Sequence, residues 1–200
     1  MTILLRCKQC NYDLLGGKNE YLFLCPNCHA LYLLINEKLT YIDSYITTDT
    51  TNYNMLLPFL LFHTEIEYIH FATNKQKDVS IKCGVNPIVV VRAFSMIDPI
   101  YFGDLEVNIT LSLNKLQMKI IPYKPATKNF VMDIKPEVLE KLSRYTFLKY
   151  LDIQADITGL KYSYRVESSS ILFLKGEIKA DKILIHELKQ ELPIFSILSI

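Results

Sequence analysis

The chain has 200 residues, half of them apolar, and its formal net charge is only +1. This composition excludes a disordered chain and indicates a well-packed domain with a small appendage. The longest apolar run, Met55–Phe62, contains a proline and is far shorter than the roughly 20 residues that span a bilayer. We therefore expect a soluble, cytoplasmic protein with no membrane contact.

Two CxxC pairs near the beginning of the chain form its most specific motif. They are CKQC at residues 7–10 and CPNC at residues 25–28, with fourteen residues between them. Two such pairs can place four thiolates tetrahedrally around one Zn²⁺, with Zn–S bonds of about 2.3 Å. The spacing therefore predicts a structural zinc site with the ligands Cys7, Cys10, Cys25 and Cys28.

The residues around both pairs suit a small metal-bound fold. A CxxC knuckle usually needs a positive φ just after its second cysteine, where this chain has Asn11 and His29, two residue types that tolerate it. Residues 16–19 (GGKN) predict a turn between paired segments, and residues 30–35 predict a third strand. This order of knuckle, hairpin, knuckle and strand resembles the zinc-ribbon family over about residues 4 to 46. The resemblance implies a fold and a metal but no particular function, because ribbons occur in enzymes, transcription proteins and adaptors.

Other interpretations of the cysteines need comparison. Residues 25–29 match the haem-attachment motif CxxCH, but haem would leave the first pair unexplained. A thioredoxin-like redox site needs one CxxC pair between a strand and a helix, whereas this chain has two pairs on predicted hairpins. Two disulfides would leave Cys83 unpaired, and they would not be expected here because we predict no secretion signal for this chain. Iron in a rubredoxin-like arrangement stays open, because the same four sulfurs accept either metal.

Charge in the first 46 residues argues against phosphate binding. Four basic and four acidic side chains cancel there, namely Arg6, Lys8, Lys18 and Lys38 against Asp13, Glu20, Glu37 and Asp43. A Zn²⁺ ion held by four thiolates adds two negative charges. The lysines between residues 115 and 128 are scattered and predict a solvated face. Phosphate-driven affinity needs clustered lysine and arginine, so nucleic-acid binding is the less favoured function.

The predicted fold class is α+β, with an N-terminal zinc ribbon followed by a mainly antiparallel β domain that carries one or two packed helices. The polar run Thr47–Asn52 predicts a linker. We therefore expect a ribbon at residues 1–46, a linker at 47–54 and a β-rich domain at 55–200. Residues 57–59 (LPF) add a further resemblance, to uncharacterised bacterial proteins that pair a ribbon with a β-rich domain, and it implies architecture only.

Hydrophobic periodicity predicts the elements after the second cysteine pair. Alternation predicts strands at residues 38–46, 56–62, 65–72, 79–82, 88–94 and 105–113, and a hairpin at 160–178 with its turn at residues 168–170. A helix should begin near Asp133, a candidate N-cap, with Pro136 in its first turn. A second helix is expected at residues 181–192, before Pro193. Turns are expected around residues 98–104, and the tail 194–200 should be a closing strand or a buried end.

The sequence contains no motif to which a reaction can be assigned. His186 and Glu187 begin an HExxH pattern, but Gln190 stands where the second histidine must fall. Phosphate-loop, dinucleotide and nucleophile-elbow motifs are missing. The sequence therefore predicts an interaction or adaptor protein that binds a protein partner or a second copy of itself. The alternative is a nucleic-acid-associated factor that uses the ribbon.

Three aromatic residues near the cysteine pairs bear on this prediction. They are Tyr12, Tyr21 and Phe23, on the predicted ribbon hairpin. Aromatic side chains are enriched at protein interfaces, so they predict a binding face. The alternative is that the rings pack against the larger domain. The sequence leaves both interpretations open.

Overall fold

The computed structural model describes residues 5–48, 52–97, 104–115 and 117–194. Within these ranges the chain is mixed, with three helices and mostly antiparallel sheets, which confirms the α+β class. The helices are α1 (Asn74–Cys83), α2 (Asp104–Asn114) and α3 (Pro136–Asp152). The strands are β1 (Leu22–Leu24), β2 (Leu31–Ile35), β3 (Lys38–Ile42), β4 (Ser44–Thr47), β5 (Met55–His70), β6 (Ile88–Arg92), β7 (Ile120–Pro122), β8 (Lys161–Lys179), β9 (Lys182–Ile185) and β10 (Gln190–Pro193).

A small antiparallel sheet, in the order β1-β2-β3, follows the first cysteine pair. Its β2–β3 turn consists of Asn36 and Glu37, which both have positive φ, as a two-residue hairpin turn of this kind requires. The predicted pairing around residues 16–19 is present as a bridge between Leu15 and Leu24. We use the term N-terminal module for residues 5–42, which comprise this sheet and both cysteine pairs.

A larger sheet of seven strands is built around β5 and β8, which pair along most of their length. β6 extends the sheet beyond β5. On the other side of β8, β4 and β9 pair with different parts of the strand. β4 pairs in turn with β7, and β9 pairs in turn with β10. All of these pairs are antiparallel except β4 with β8. The predicted strand at residues 38–46 is therefore two strands, β3 and β4, that belong to different sheets.

Both faces of the larger sheet are buried in its central part, around residues 56–62 of β5 and 170–175 of β8. Leu56 and Leu60 of β5 contribute to one core cluster, which also contains Leu139 and Phe147 of α3. Leu57 and Leu61 point the opposite way, into a second cluster that contains residues of α2, β9 and β10. A strand that is covered on both faces reads as a continuous apolar run, which explains the composition of Met55–Phe62.

Two predicted strands are wrong, because they are helices. Residues 79–82 lie in α1, whose N-cap Thr73 accepts a hydrogen bond from the Gln76 backbone N–H at 3.2 Å. Residues 105–113 form α2. The apolar side chains at positions 105, 109 and 113 recur every four residues, so the sequence that alternates like a strand also fits one face of a helix. All three side chains are buried in the second cluster.

The predictions for the last third of the chain also need correction. Residues 168–170 do not turn but continue β8 and pair with β5. Residues 181–192 form β9, a 3₁₀ turn at His186–Leu188 and β10 instead of a helix. Residues 56–62 and 65–72, predicted as two strands, lie mostly in the one long strand β5.

The helix predicted near Asp133 is α3, and it starts at Pro136 with Lys135 in the N-cap position. Asp133 instead accepts a hydrogen bond from the Ser95 backbone N–H at 2.9 Å.

Three predicted segments lie outside the described residues, namely the turn residues 98–103, the linker residues 49–51 and the tail 195–200. No helix in the described ranges is long and apolar enough to cross a membrane.

Candidate metal centre

The four predicted cysteines, Cys7, Cys10, Cys25 and Cys28, lie together, with all their Sγ atoms within 4.8 Å of one another. The Sγ atoms of Cys7 and Cys28 are 3.5 Å apart, and those of Cys10 and Cys25 are 3.4 Å apart. Tetrahedral coordination with Zn–S bonds of about 2.3 Å places neighbouring sulfurs about 3.8 Å apart. A disulfide bond is about 2.05 Å long, and all of these cysteines are free. The cluster is therefore compatible with a metal site of the zinc-ribbon kind.

Both cysteine pairs form the same backbone turn. The carbonyl of the first cysteine accepts a hydrogen bond from the residue four positions later, Asn11 N–H to Cys7 at 2.8 Å and His29 N–H to Cys25 at 2.9 Å. Asn11 has φ 60° and His29 has φ 58°, which confirms the predicted left-handed conformation at these positions. The two cysteine pairs therefore share the same turn geometry.

The sulfurs differ in their surroundings. Cys7 and Cys25 are buried, whereas Cys10 and Cys28 are half-buried. The Gln9 backbone N–H donates to the Cys7 Sγ at 3.4 Å, and the Cys28 backbone N–H donates to the Cys25 Sγ at 3.5 Å. Amide donors of this kind stabilise thiolates, so these hydrogen bonds suit the two buried sulfurs to bind a cation.

The thiol pKa values diverge within the cluster. Burial acts to raise the pKa of Cys7, but hydrogen bonds from the Tyr32 hydroxyl and from backbone N–H groups outweigh it and lower that pKa to about 6. Hydrogen bonds, first from the Asn27 side chain, lower the pKa of Cys10. Burial raises the pKa of Cys28 to about 12. Four negative charges cannot share so small a space, so a full set of thiolates requires a bound cation.

An aromatic pair forms the floor of the cluster. Phe23 of β1 and Tyr32 of β2 are cross-strand partners, and both side chains are buried against the cysteines. The Tyr32 Oη lies 3.4 Å from the Cys7 Sγ. Tyr21 packs against the larger core, and Tyr12 is exposed. Of the three aromatics considered as a binding face, Phe23 is therefore buried inside the molecule, Tyr21 is half-buried against the larger core and Tyr12 is exposed.

The opposite face of β1 and β2 belongs to the core of the larger sheet. Its side chains there are Leu22, Leu24, Leu31 and Leu33, in one cluster with Phe130 and Phe173. The Tyr21 backbone N–H donates to the Met132 carbonyl at 2.8 Å, and the Asn36 backbone N–H donates to Glu137 Oε1 at 3.0 Å. The N-terminal module is therefore fixed to the rest of the molecule by backbone contacts as well as apolar packing.

Other candidate residues do not form a second centre. Among the described residues, the four cysteines are the one group of three or more metal-ligating side chains that could hold an ion. Cys83, expected in a strand, is buried at the end of α1, where Gln154 Nε2 donates to its sulfur at 3.4 Å. Glu187 accepts a hydrogen bond from the Lys175 backbone N–H at 3.0 Å, so this carboxylate is tied to β8.

Comparisons with protein-family models, curated proteins and solved structures find no match for the chain.

The sequence identified the four cysteines but missed Tyr32, which contacts one of them. A signal was present, because Tyr32 is the one polar-tipped side chain in the apolar run LYLLI of β2. Only the register of β1 with β2 places that hydroxyl on the face of the cysteines.

Proposed function

We propose that the N-terminal module is a zinc ribbon in which Cys7, Cys10, Cys25 and Cys28 bind one structural Zn²⁺, with iron as the second candidate metal. The observation that carries this proposal is the convergence of four Sγ atoms from two equivalent turns. Four thiolates fill a tetrahedral ion completely and leave no position for a substrate or a catalytic water. The metal then serves the fold and does not carry out a reaction.

The metal is tested by elemental analysis of protein purified without chelators. We expect close to one zinc per chain, and iron would identify the second candidate. A Cys25→Ser variant should lose most of its metal, because only three of the four thiolates remain to hold it. Protein without zinc or iron, or with disulfides between these cysteines, would refute the metal centre.

We also propose that the protein works by binding a protein partner, or a second copy of itself, rather than by catalysis. The N-terminal module carries large apolar side chains that remain exposed, Tyr12 at 55%, Tyr41 at 45% and Leu15 at 44%. Aromatic residues of this kind are enriched at protein interfaces. The leucine face of the module is buried against the core of the larger sheet, so its outer side is a rigid surface suited to docking.

Affinity capture from native cell extract, with the full chain as bait, tests this function. A Tyr12→Ser, Tyr41→Ser double variant should lose the captured partner, and size-exclusion chromatography should show whether the partner is a second copy. Tyr145→Ser is the matched control, because Tyr145 is similarly exposed at 52% but lies on α3.

A gel-shift assay at physiological salt tests the alternative, a nucleic-acid-associated factor. We expect no shift, because the basic and acidic side chains of the module cancel and supply little attraction for phosphate. Tight nucleic-acid binding, together with no captured protein that depends on Tyr12 and Tyr41, would favour the alternative function.

A further inference from the structure

The Tyr32 hydroxyl contacts the sulfur of Cys7 inside the molecule. Their Oη and Sγ atoms are 3.4 Å apart, and both residues are almost fully buried. The ring is held in place by its partner Phe23 on β1 and by an edge-to-face contact with Tyr41, with ring centroids 6.2 Å apart. The position of the hydroxyl is therefore fixed by the sheet.

Metal binding determines the direction of this hydrogen bond. With free thiols, either atom can donate. A metal-bound Cys7 is a thiolate, which has lone pairs but no proton, so the tyrosine O–H must donate. The hydrogen bond then has an ionised acceptor and is stronger than the one between neutral groups.

Cys7 differs in this respect from Cys25, which is equally buried. In addition to the Tyr32 contact, Cys7 receives the Gln9 backbone N–H, whereas Cys25 receives the Cys28 backbone N–H. A thiolate that accepts more hydrogen bonds is less basic and less nucleophilic. The two buried cysteines thus form an internal comparison for the effect of one hydroxyl.

We propose that Tyr32 is a positioning residue of the metal centre, which donates a hydrogen bond to the metal-bound Cys7 thiolate and makes Cys7 the ligand most resistant to electrophiles. The proposal rests on the metal centre proposed above and specifies how its reactivity is controlled. Attack on the loaded site then begins at the half-buried Cys10 and Cys28, and Cys7 reacts last.

The test uses the full chain with Tyr32→Phe, which keeps the ring and removes the hydroxyl. The zinc-loaded protein is treated with iodoacetamide, and the modification rate of each cysteine is followed by peptide mass spectrometry. In the wild type we expect Cys10 and Cys28 to react first and Cys7 last. In the variant we expect the rate at Cys7 to rise several-fold relative to Cys25, and zinc affinity to fall about tenfold.

Cobalt substitution supplies a second readout. The sulfur-to-Co²⁺ charge-transfer band should move to lower energy in Tyr32→Phe, because its Cys7 thiolate is richer in electrons. Wild-type chain grown with 3-fluorotyrosine, whose phenol is a stronger donor, should show the opposite shift. This measurement keeps the proposal testable if Tyr32→Phe does not fold.

Tyr41→Phe is the matched control, because the Tyr41 hydroxyl donates to Asp43 Oδ1 at 3.0 Å and not to a sulfur. We expect its band and its cysteine rates to match the wild type. Unchanged bands and an unchanged ratio of Cys7 to Cys25 rates in Tyr32→Phe would overturn the role of Tyr32. A wild-type chain that binds neither Zn²⁺ nor Co²⁺ would instead overturn the metal centre itself.

Discussion

In the proposed metal centre, protons and metal would compete for the same four sulfurs, so the thiol pKa values should set the pH dependence of binding. At pH 7 the metal-free site holds a proton on Cys28, whose pKa is raised to about 12 by burial. Metal uptake must displace that proton. Calorimetry in buffers of different ionisation enthalpy should therefore give different binding heats, and equal heats in all buffers would contradict this prediction.

The same competition predicts metal loss in acid. The pKa of Cys7 is lowered to about 6 despite its burial, chiefly by the Tyr32 hydrogen bond, so its thiolate is present above that pH. Below this pH, protons compete increasingly with the metal for the Cys7 sulfur, so the affinity for the metal falls. A chromophoric chelator should report slow zinc release at about pH 8 and much faster release at about pH 5. Release that does not depend on pH would contradict the prediction.

Gly16 is a residue that the packing around the cysteines requires. A Cβ atom there would lie 2.3 Å from Cδ1 of Phe23, a buried ring in the floor of the cluster. We expect Gly16→Ala to destabilise the protein by about 1–3 kcal/mol, because the ring must move. Gly17→Ala is the control, since the nearest atom to its Cβ would be Glu20 Oε1 at 3.0 Å, which is a looser contact than the one at Gly16. Urea unfolding that gives equal stabilities for both variants would contradict this prediction.

At the scale of elements, α2 is anchored to β6 by a buried ion pair. Arg92 Nε lies 2.9 Å from Glu106 Oε1, and the side chains are 3% and 0% exposed. Removing one charge of such a pair leaves the other in a medium of low polarity, at a cost of about 3–5 kcal/mol. We expect Glu106→Gln to reduce the free energy of unfolding by this amount.

Asp104→Asn is the matched control, because Asp104 lies in the same first turn of α2. It pairs with Lys149 at 2.6 Å, but its side chain is 68% exposed. An exposed pair contributes less than about 1 kcal/mol. Equal losses of stability in the two variants, measured by urea unfolding, would show that the Arg92–Glu106 pair does not anchor the helix.

Elements specified by local residues could be predicted, and those specified by distant contacts could not. The cysteine turns follow from spacing and from Asn11 and His29, and α3 follows from Pro136 and its apolar period. α2 was missed because its alternating residues satisfy both periods, and only packing against β6 decides between them. α1 did offer a local signal, since Thr73 and Gln76 are three residues apart, as in a capping box.

The strands β9 and β10 illustrate the opposite error. Their apolar residues fall at helical spacing, yet Ile183 and Ile185 alternate into the core and pair with the end of β8. The turn between β8 and β9 has a positive φ at Ala180, and alanine is not a residue type that predicts this conformation. Pairing with the long strand β8 makes residues 182–185 a strand, and no residue within this segment indicates that β8 is its partner.

At the scale of the whole molecule, the N-terminal module and the larger sheet share one core. Leucines of β1 and β2 lie in the same cluster as Phe130 and Phe173, whereas the opposite face of these strands holds the cysteines. With the proposed metal bound, the small sheet would have two supports, the metal on one side and the larger core on the other. The metal should be essential for the turns around it and less so for the leucine face.

This arrangement predicts what happens when the metal is removed by a chelator or by Cys25→Ser. The turns at residues 7–11 and 25–29 have no other core, so they should unfold locally. The larger sheet keeps both of its buried faces, so it should still unfold in one cooperative thermal transition, at a lower temperature because the leucine face is held less firmly.

Hydrogen exchange of the full chain, with and without metal, separates these regions. Amides of residues 5–30 should lose protection when the metal is removed, whereas the paired amides of β5, β6 and β8 should keep theirs. Cys83→Ser is the control, because Cys83 is buried at the end of α1, away from the four sulfurs. This variant should leave residues 5–30 protected. If metal removal abolished protection in β5 and β8 as well, the larger sheet would depend on the metal, and its division from a metal-held ribbon would be wrong.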